Sequence, residues 1–480
     1  MNIANIGLSR VTLPLLLVLF FGASGARGEE DTASQEVLPA HFPYTKALRP
    51  QVEFWKKIFA VYSRYQVVIH DSETMQIYKV LDFRRLRDEE GLDEATISQI
   101  KQDQTKLEIE QLRLILFKLQ GCVEGMGAES CESLDPEEQK VWDMHKDTDD
   151  LYRFREAASE DRLRAQTGVR ERFQEGIQAS RRYITAMEEI FRREGLPVEL
   201  TRLPLIESSF NLEARSKVGA AGIWQFMPTT GRIYEMRVNQ MIDERRDPLI
   251  ATEAAARFLR SNYEKLGSWP LAITAYNHGP GGVAEAVSTV GSSDIGEIIR
   301  SYRGRAFGFA SRNFYTEFLA ALDVEKDHKK HFGTLTMEAP LSYDEVYLDY
   351  PVPLGTAATC ADTDMEELRS LNPALGDTIR SGYSPIPRGY QLRIPSGVAV
   401  SFQERYAAWQ EEEKARVAAL ERARQARLAA LRQARQARLV SLRRARAGRL
   451  EAVRARKNGK RSSSGQEARV TESKARKRRG

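Results

Sequence analysis

Cysteine is scarce: three in 480 residues, too few for a scaffold built on disulfides. Cys122 and Cys131 lie close together in a Gly-containing insert, where an oxidising compartment would allow a local bridge, and Cys360 has no obvious partner. Histidine is nearly as scarce. The six His are scattered and no Cys/His set has the spacing of a zinc site, which argues against a metal enzyme; no cofactor is expected. Long hydrophobic runs are missing too. The run Val11 to Phe21 holds 11 residues, short of the roughly 20 that span a bilayer. With Arg10 before it and the small-residue stretch Gly22-Ala23-Ser24-Gly25-Ala26 after it, residues 1–28 read as a secretory signal cleaved after Ala26 or Gly28. No Cys follows the run as a site for lipid attachment, so an exported, soluble protein is expected.

What is present bounds the architecture. The chain is too long for one ordinary core, and 42% hydrophobic with 29% charged residues fits two to four soluble domains. The net charge of +5 conceals two opposite halves. Residues 401–480 hold 24 Lys and Arg against 8 Asp and Glu, a net +16, so the preceding 400 residues carry −11.

After a linker at 29–47, apolar residues recur at helical spacing from about Leu48 to Arg181, as in Trp55, Phe59, Tyr62 and Ile109, Leu112, Leu116, Leu119. This predicts a helical N-terminal domain over 48–181, broken by a charged loop near Ser130 to Glu138. His70 and His145 read there as solvated or structural residues. Helical periodicity continues over 182–328, where Asp247-Pro248 looks like a helix start. Over 345–397 the texture changes to Pro, Gly, Tyr and short alternating segments, a small separate module. The tail is periodic. Val417, Leu420, Leu428, Leu431, Leu439, Leu442, Leu450 and Val453 alternate spacings of three and eight, an 11-residue repeat that predicts a long basic helix over 401–458. The Ser/Lys/Arg-rich residues 459–480 are expected to be disordered.

Chemistry concentrates in three clusters within 182–328: Glu207-Ser208-Ser209-Phe210, Gly222-Ile223-Trp224-Gln225 and Ala275-Tyr276-Asn277-His278-Gly279. A carboxyl that follows the apolar run Leu203-Pro204-Leu205-Ile206 should be partly buried, and desolvation then keeps it protonated near neutrality. Glu207 is therefore a candidate general acid. Gln225, Tyr276 and Asn277 are polar groups in apolar or Gly-containing surroundings, as a neutral, hydroxyl-rich ligand requires. Gly222 and Gly279 would let backbone approach that ligand. Trp224 is more readily a core residue than a sugar platform.

These clusters, in this order and spacing, resemble those of the lytic transglycosylases of the lysozyme-like superfamily, nearest the membrane-bound type D group, over about Leu196 to Val324. The resemblance implies a mainly α protein with a lysozyme-like catalytic domain, acting on the β-1,4 bond between N-acetylmuramic acid and N-acetylglucosamine of peptidoglycan and leaving 1,6-anhydro-muramyl ends. It makes Glu207 acid and then base. It implies substrate contacts for Ser216, Gln225, Tyr276 and Asn277. The family's fourth motif has a tyrosine where this chain has Phe314; Tyr315, one residue on and about 100° around the helix, is the remaining candidate. Glu213, Asp243, Glu244 and Asp247 are the acids that could act as a second carboxylate, and none is convincing, Asp247 being explained as a helix cap. Leu371-Asn372-Pro373 and Leu392-Arg393-Ile394-Pro395 resemble a lysin motif, a β-α-α-β module that binds N-acetylglucosamine-containing glycans, although Pro351-Val352-Pro353-Leu354-Gly355 is an atypical beginning. The expected location is the periplasm or cell envelope. The basic helix suits an anionic wall polymer, a membrane surface or self-association, and no nucleic acid is expected. A hydrolysing muramidase and a non-catalytic peptidoglycan-binding scaffold are the alternatives.

Overall fold

The computed structural model describes residues 41–125 and 133–476, with side chains as far as residue 458. The expected signal segment, most of the linker, Cys131 and the last four residues lie outside this range. Cys122 is disulfide-bonded and Cys360 is a buried free thiol. No helix among the described residues is long and apolar enough to cross a membrane.

The chain is mainly helical, but the N-terminal region, expected to be a helical domain, also contains a sheet. Strands β1 (Gln66–Asp71), β2 (Ile77–Asp82) and β3 (Leu163–Thr167) form an antiparallel sheet in the order β2-β1-β3. The Val67-Val68-Ile69 run of β1 is buried on both faces, so it lacks the alternation that marks a half-exposed strand. The helix Glu94–Val123 covers the sheet through Leu112, Leu116 and Leu119. His70 and His145 are both buried in this region, not solvated, and His145 Nε2 lies 2.9 Å from the Tyr78 hydroxyl. Desolvation pushes the His70 imidazole down to about 4.

The expected boundary at residue 181 does not coincide with a break between cores. The helix Arg49–Ala60 packs against the helix Phe309–Lys326, and Trp55 Nε1 donates to Asn313 Oδ1 at 3.1 Å. Phe54, Trp55, Ile58 and Phe59 thereby join the same core as Phe314, Phe318 and Leu319. An amphipathic helix buries its apolar stripe against whatever face complements it, and here that face lies more than 250 residues along the chain.

Local rules define the helices that carry the three clusters. Asp247 caps the helix Pro248–Leu266 by accepting from the Leu249 and Ile250 amides at 3.0 and 3.1 Å, and Gly267 ends it at φ 71°. The helix Trp269–His278 follows after Ser268. It stops at Gly279, φ 91°, because Pro280 opens the next helix, Pro280–Val290. Tyr276, Asn277 and His278 thus occupy the last turn of a helix that faces a forced break.

The small module runs β4 (Asp344–Tyr347), helices Leu354–Cys360 and Met365–Leu371, a third short helix Asp377–Arg380 beyond the expected two, and β5 (Gln391–Ile394), with Asp344 opposite Ile394 and Tyr347 opposite Gln391. Asn372 ties it together, donating to the Arg393 carbonyl at 2.7 Å and accepting from the Arg393 amide at 2.9 Å. The module is docked on the preceding helical region rather than tethered to it. Gly376 N–H donates to the Met241 carbonyl at 2.7 Å, Asp243 N–H donates to the Ala374 carbonyl at 2.8 Å, and Arg393 pairs with Asp247 at 2.6 Å.

From the module emerges the helix Ala399–Arg476, 78 residues and about 115 Å long at 1.5 Å per residue. Phe402 and Tyr406 anchor its first turns in the module's core. Leu420, Leu428, Leu431, Leu439, Leu442 and Leu450 are exposed. The helix continues past Gly459 to Arg476, where disorder is expected from composition. No proline follows Pro395, and the Arg/Lys/Gln/Ala content has high intrinsic helix propensity.

Candidate active site

Glu207 is the last residue of the short helix Leu203–Glu207, which has Pro204 in its first turn. The chain then turns sharply. Ser209 and Phe210 have φ of 54° and 56°, a left-handed conformation that costs a non-glycine residue free energy and persists only where packing imposes it. Three contacts impose it. Ser208 Oγ donates to the Ile223 carbonyl at 2.9 Å, Arg172 donates to the Ser208 carbonyl at 3.1 Å, and Gly176 leaves no room for a side chain, since a Cβ there would lie 2.8 Å from the Ser209 carbonyl oxygen. The strained turn fixes where the Glu207 carboxyl points.

The second cluster crosses this turn. Trp224 is fully buried, stacked on Phe191 at 6.0 Å, with Nε1 donating to Thr252 Oγ1 at 2.9 Å. It is core. Gln225 takes φ 50° and donates to the Gly222 carbonyl at 2.8 Å. Gly222 serves the protein rather than a ligand, contrary to the sequence-based reading. A Cβ on it would lie 1.8 Å from the Arg245 carbonyl oxygen, and its φ is +76°. Ser216 sits at the preceding hairpin turn, its Oγ accepting from the Ala220 amide at 2.9 Å.

The third cluster closes the site. Tyr276 donates its hydroxyl to the Trp224 carbonyl at 2.8 Å, and its ring stacks parallel to Phe314 at 6.4 Å and tilts against Phe258 at 5.0 Å. Burial, and after it the charge of Glu207, raises the Tyr276 pKa. Asn277 is exposed, and its Oδ1 accepts from Ser311 at 3.0 Å, leaving the amide NH2 for a ligand. Tyr315 does not join them. It is fully buried, donates to the Pro43 carbonyl at 3.0 Å, and faces the N-terminal segment, because one residue of helix turns it away from the side that Phe314 occupies.

Glu207 is half-buried and has no hydrogen-bond or ion-pair partner among the described residues. Desolvation pushes its carboxyl up to about 8, so it is protonated at neutral pH. The four acids considered as second carboxylates are committed elsewhere: Glu213 to Arg246 at 2.6 Å, Asp243 to Arg245 at 2.7 Å, Glu244 to Arg237 at 2.6 Å, and Asp247 to Arg393. A second carboxyl is nevertheless there. Glu317, on the helix Phe309–Lys326, has its pKa pushed up to about 8 by burial and by Glu207. The expectation that Glu207 acts without a neighbouring carboxyl is therefore corrected. Nothing local in Glu317's helical surroundings distinguishes it from a solvated glutamate; only the packing of two distant helices does.

These features bring a protonated carboxyl and a tyrosine, from the ends of two helices, together with the turn that carries Gln225. Residues 185–299 match the family model described as Transglycosylase SLT domain. This part of the chain, about a quarter of it, is similar to that family. Membrane-bound lytic murein transglycosylase D of Escherichia coli K12 is 30% identical over 243 residues, which cover 47% of this chain and 52% of that protein. The chain thus spans about half the length of this curated relative. Among solved structures, the 70 kDa soluble lytic transglycosylase of Escherichia coli superposes with a TM-score of 0.26 at 20% identity, covering 33% of this chain and 26% of that one. A lytic transglycosylase of Pseudomonas aeruginosa superposes with a TM-score of 0.26 at 19% identity, over 33% and 25%. The SLT match ends at residue 299, before the helix that carries Phe314 and Glu317.

A cavity of about 520 Å³ lies between the helical region that carries the three clusters and the small module, lined by Arg237, Tyr343, Tyr390 and Arg393 among others. None of its lining residues belongs to the three clusters. It is an interdomain seam, distinct from the Glu207 site.

Proposed function

We propose that this chain is a peptidoglycan lytic transglycosylase of the cell envelope, with Glu207 as acid and then base. The observation that carries the reading is the unpartnered, half-buried Glu207 carboxyl at the head of three converging clusters, protonated at neutral pH with its pKa at about 8. Glu207 gives its proton to the glycosidic oxygen as the bond from the muramyl anomeric carbon breaks, releasing N-acetylglucosamine as an alcohol. The resulting carboxylate takes the proton of the muramyl primary hydroxyl as that oxygen bonds to the anomeric carbon. No water is consumed, and the product is a 1,6-anhydro end. Asn277, Gln225 and Ser216 offer amide and hydroxyl groups to the sugar, and Tyr276 holds one wall of the cleft.

The small module is read as a lysin-motif-like glycan binder that presents strands to the SLT domain it is docked on. The basic helix is read as the contact to an anionic wall or membrane surface, or to a second copy.

Glu317 gives the hydrolysing alternative a specific basis, since a muramidase needs a second carboxylate. At neutral pH, however, Glu317 is itself protonated and is not a ready base for water. The transglycosylase reading is favoured on that ground. The test is the full-length Glu207→Gln protein assayed on purified peptidoglycan. Loss of solubilisation with retained binding supports the enzyme; undiminished activity removes Glu207 from the mechanism; a wild-type protein that binds without solubilising points to a scaffold.

A further inference from the structure

The helix Phe309–Lys326 packs against both the helix Leu203–Glu207 and the helix Trp269–His278. Phe314 on it stacks on Tyr276, and Glu317 lies one turn beyond Phe314, on the same helix face. Glu317 is half-buried and, like Glu207, has no hydrogen-bond or ion-pair partner among the described residues. Two half-buried carboxyls thus come from packed helices, one of which also places Phe314 against the Tyr276 ring.

The charged groups on the surrounding elements do not intervene. Lys56, on the helix Arg49–Ala60, pairs with Asp323. Arg202, which precedes Leu203, pairs with Glu188 and lies 3.8 Å from Glu325. Arg172 is held by the Ser208 carbonyl, and His278, beside Tyr276, contacts Ser311 Oγ at 3.2 Å through Nδ1. Among the described residues the charge that acts on Glu317 is that of Glu207, which also reaches Tyr276.

We propose that Glu317 is a positioning residue that forms with Glu207 a carboxyl pair releasing one proton, not two, across the neutral range, so that Glu207 remains loaded for the acid step. Like charges in an apolar site cannot both develop without a large cost, and the protons of such a pair leave in two well-separated steps. When Glu207 gives its proton to the leaving group, its new charge strengthens the hold of Glu317 on its own proton. Glu317 then stays neutral and does not compete as a base, and the proton returned by the muramyl hydroxyl goes to Glu207. When Glu317 ionises first, at alkaline pH, its charge keeps the proton on Glu207. The proposal rests on Glu207 being the acid.

The test compares pH profiles of peptidoglycan solubilisation by the full-length wild-type and Glu317→Gln proteins, each normalised to its own maximum. With the partner charge gone, the alkaline limb of Glu317→Gln should move to lower pH by about half a unit or more, as the upper step of a coupled pair collapses to a single titration. A limb that does not move overturns the pair, and so does a shift to higher pH. A second measurement does not require the Glu317 variant to fold. The infrared carbonyl band of protonated Glu317, followed in Glu207→Gln against wild type, should disappear at lower pH once Glu207 can no longer ionise. An unchanged midpoint overturns the proposal. Activity retained in Glu207→Gln would instead defeat the acid assignment, an outcome distinct from an unshifted limb in Glu317→Gln.

Discussion

Replacing Arg393 by Met should destabilise the junction between the helical region that carries Glu207 and the small module severely. Arg393 reaches from β5 to Asp247 with Nη1–Oδ2 at 2.6 Å and Nη2–Oδ1 at 3.3 Å, a two-pronged pair whose side chains are 9% and 3% exposed. The guanidinium also lies over the Tyr343 ring at 5.0 Å. Removing it leaves the Asp247 charge buried, with only the two amides it caps as donors. Stranding one partner of a buried pair costs about 3–5 kcal/mol. The double variant Arg393→Met with Asp247→Asn removes both charges, and asparagine caps a helix about as well as aspartate, so most of the loss should return, to within about 1–2 kcal/mol of wild type. Urea unfolding followed by tryptophan fluorescence measures all three proteins. A single variant that loses less than about 1 kcal/mol, or a double no better than the single, would refute a buried, mutually dependent pair.

Three further outcomes follow from the site. Glu207 has a folded-state pKa of about 8 against an ordinary 4.5, so between those values the unfolded chain has released a proton that the folded chain keeps, and stability falls as pH rises through that window. Glu207→Gln should therefore be more stable than wild type at pH 7, by about 1–3 kcal/mol after allowing for partial exposure, and equal to it near pH 4; thermal melts at both pH values check this, and an equal gain at both would contradict it. Gly222→Ala forces a Cβ into the Arg245 carbonyl and should cost at least about 2 kcal/mol, with activity lost because Gln225 is displaced; a melt and an activity assay decide it. Thr252→Val strands the Trp224 indole N–H and should cost about 1–3 kcal/mol in urea unfolding, with little change in the pH profile.

Much of the site was legible because its residues break local rules. A glutamate directly after Leu-Pro-Leu-Ile and an Asn-His-Gly-Pro sequence at a helix end stand out against helical periodicity, as does an Asp before a Pro. Glu317 broke none. A glutamate within a helical pattern reads as solvated, and its place beside Glu207 follows only from how the helix Phe309–Lys326 packs. Tyr315 failed for a related reason: a residue number settles which side of a helix is occupied only when the neighbouring elements are known. The N-terminal sheet was hidden because β1 is buried on both faces and β3, Leu163–Thr167, has a strand's geometry mainly through its pairing with β1. The 11-residue period of the tail was plain, and helix propensity carried the helix beyond it.

The central claim is that one protonated carboxyl, Glu207, cuts a muramyl glycoside without consuming water. Mass spectrometry of the muropeptides released from purified peptidoglycan by the full-length protein tests it most directly. Ends lighter by one water than hydrolysis products, absent from a Glu207→Gln digest, are the predicted result. Reducing muramyl ends would contradict it and assign Glu317 the part of a hydrolytic second carboxylate.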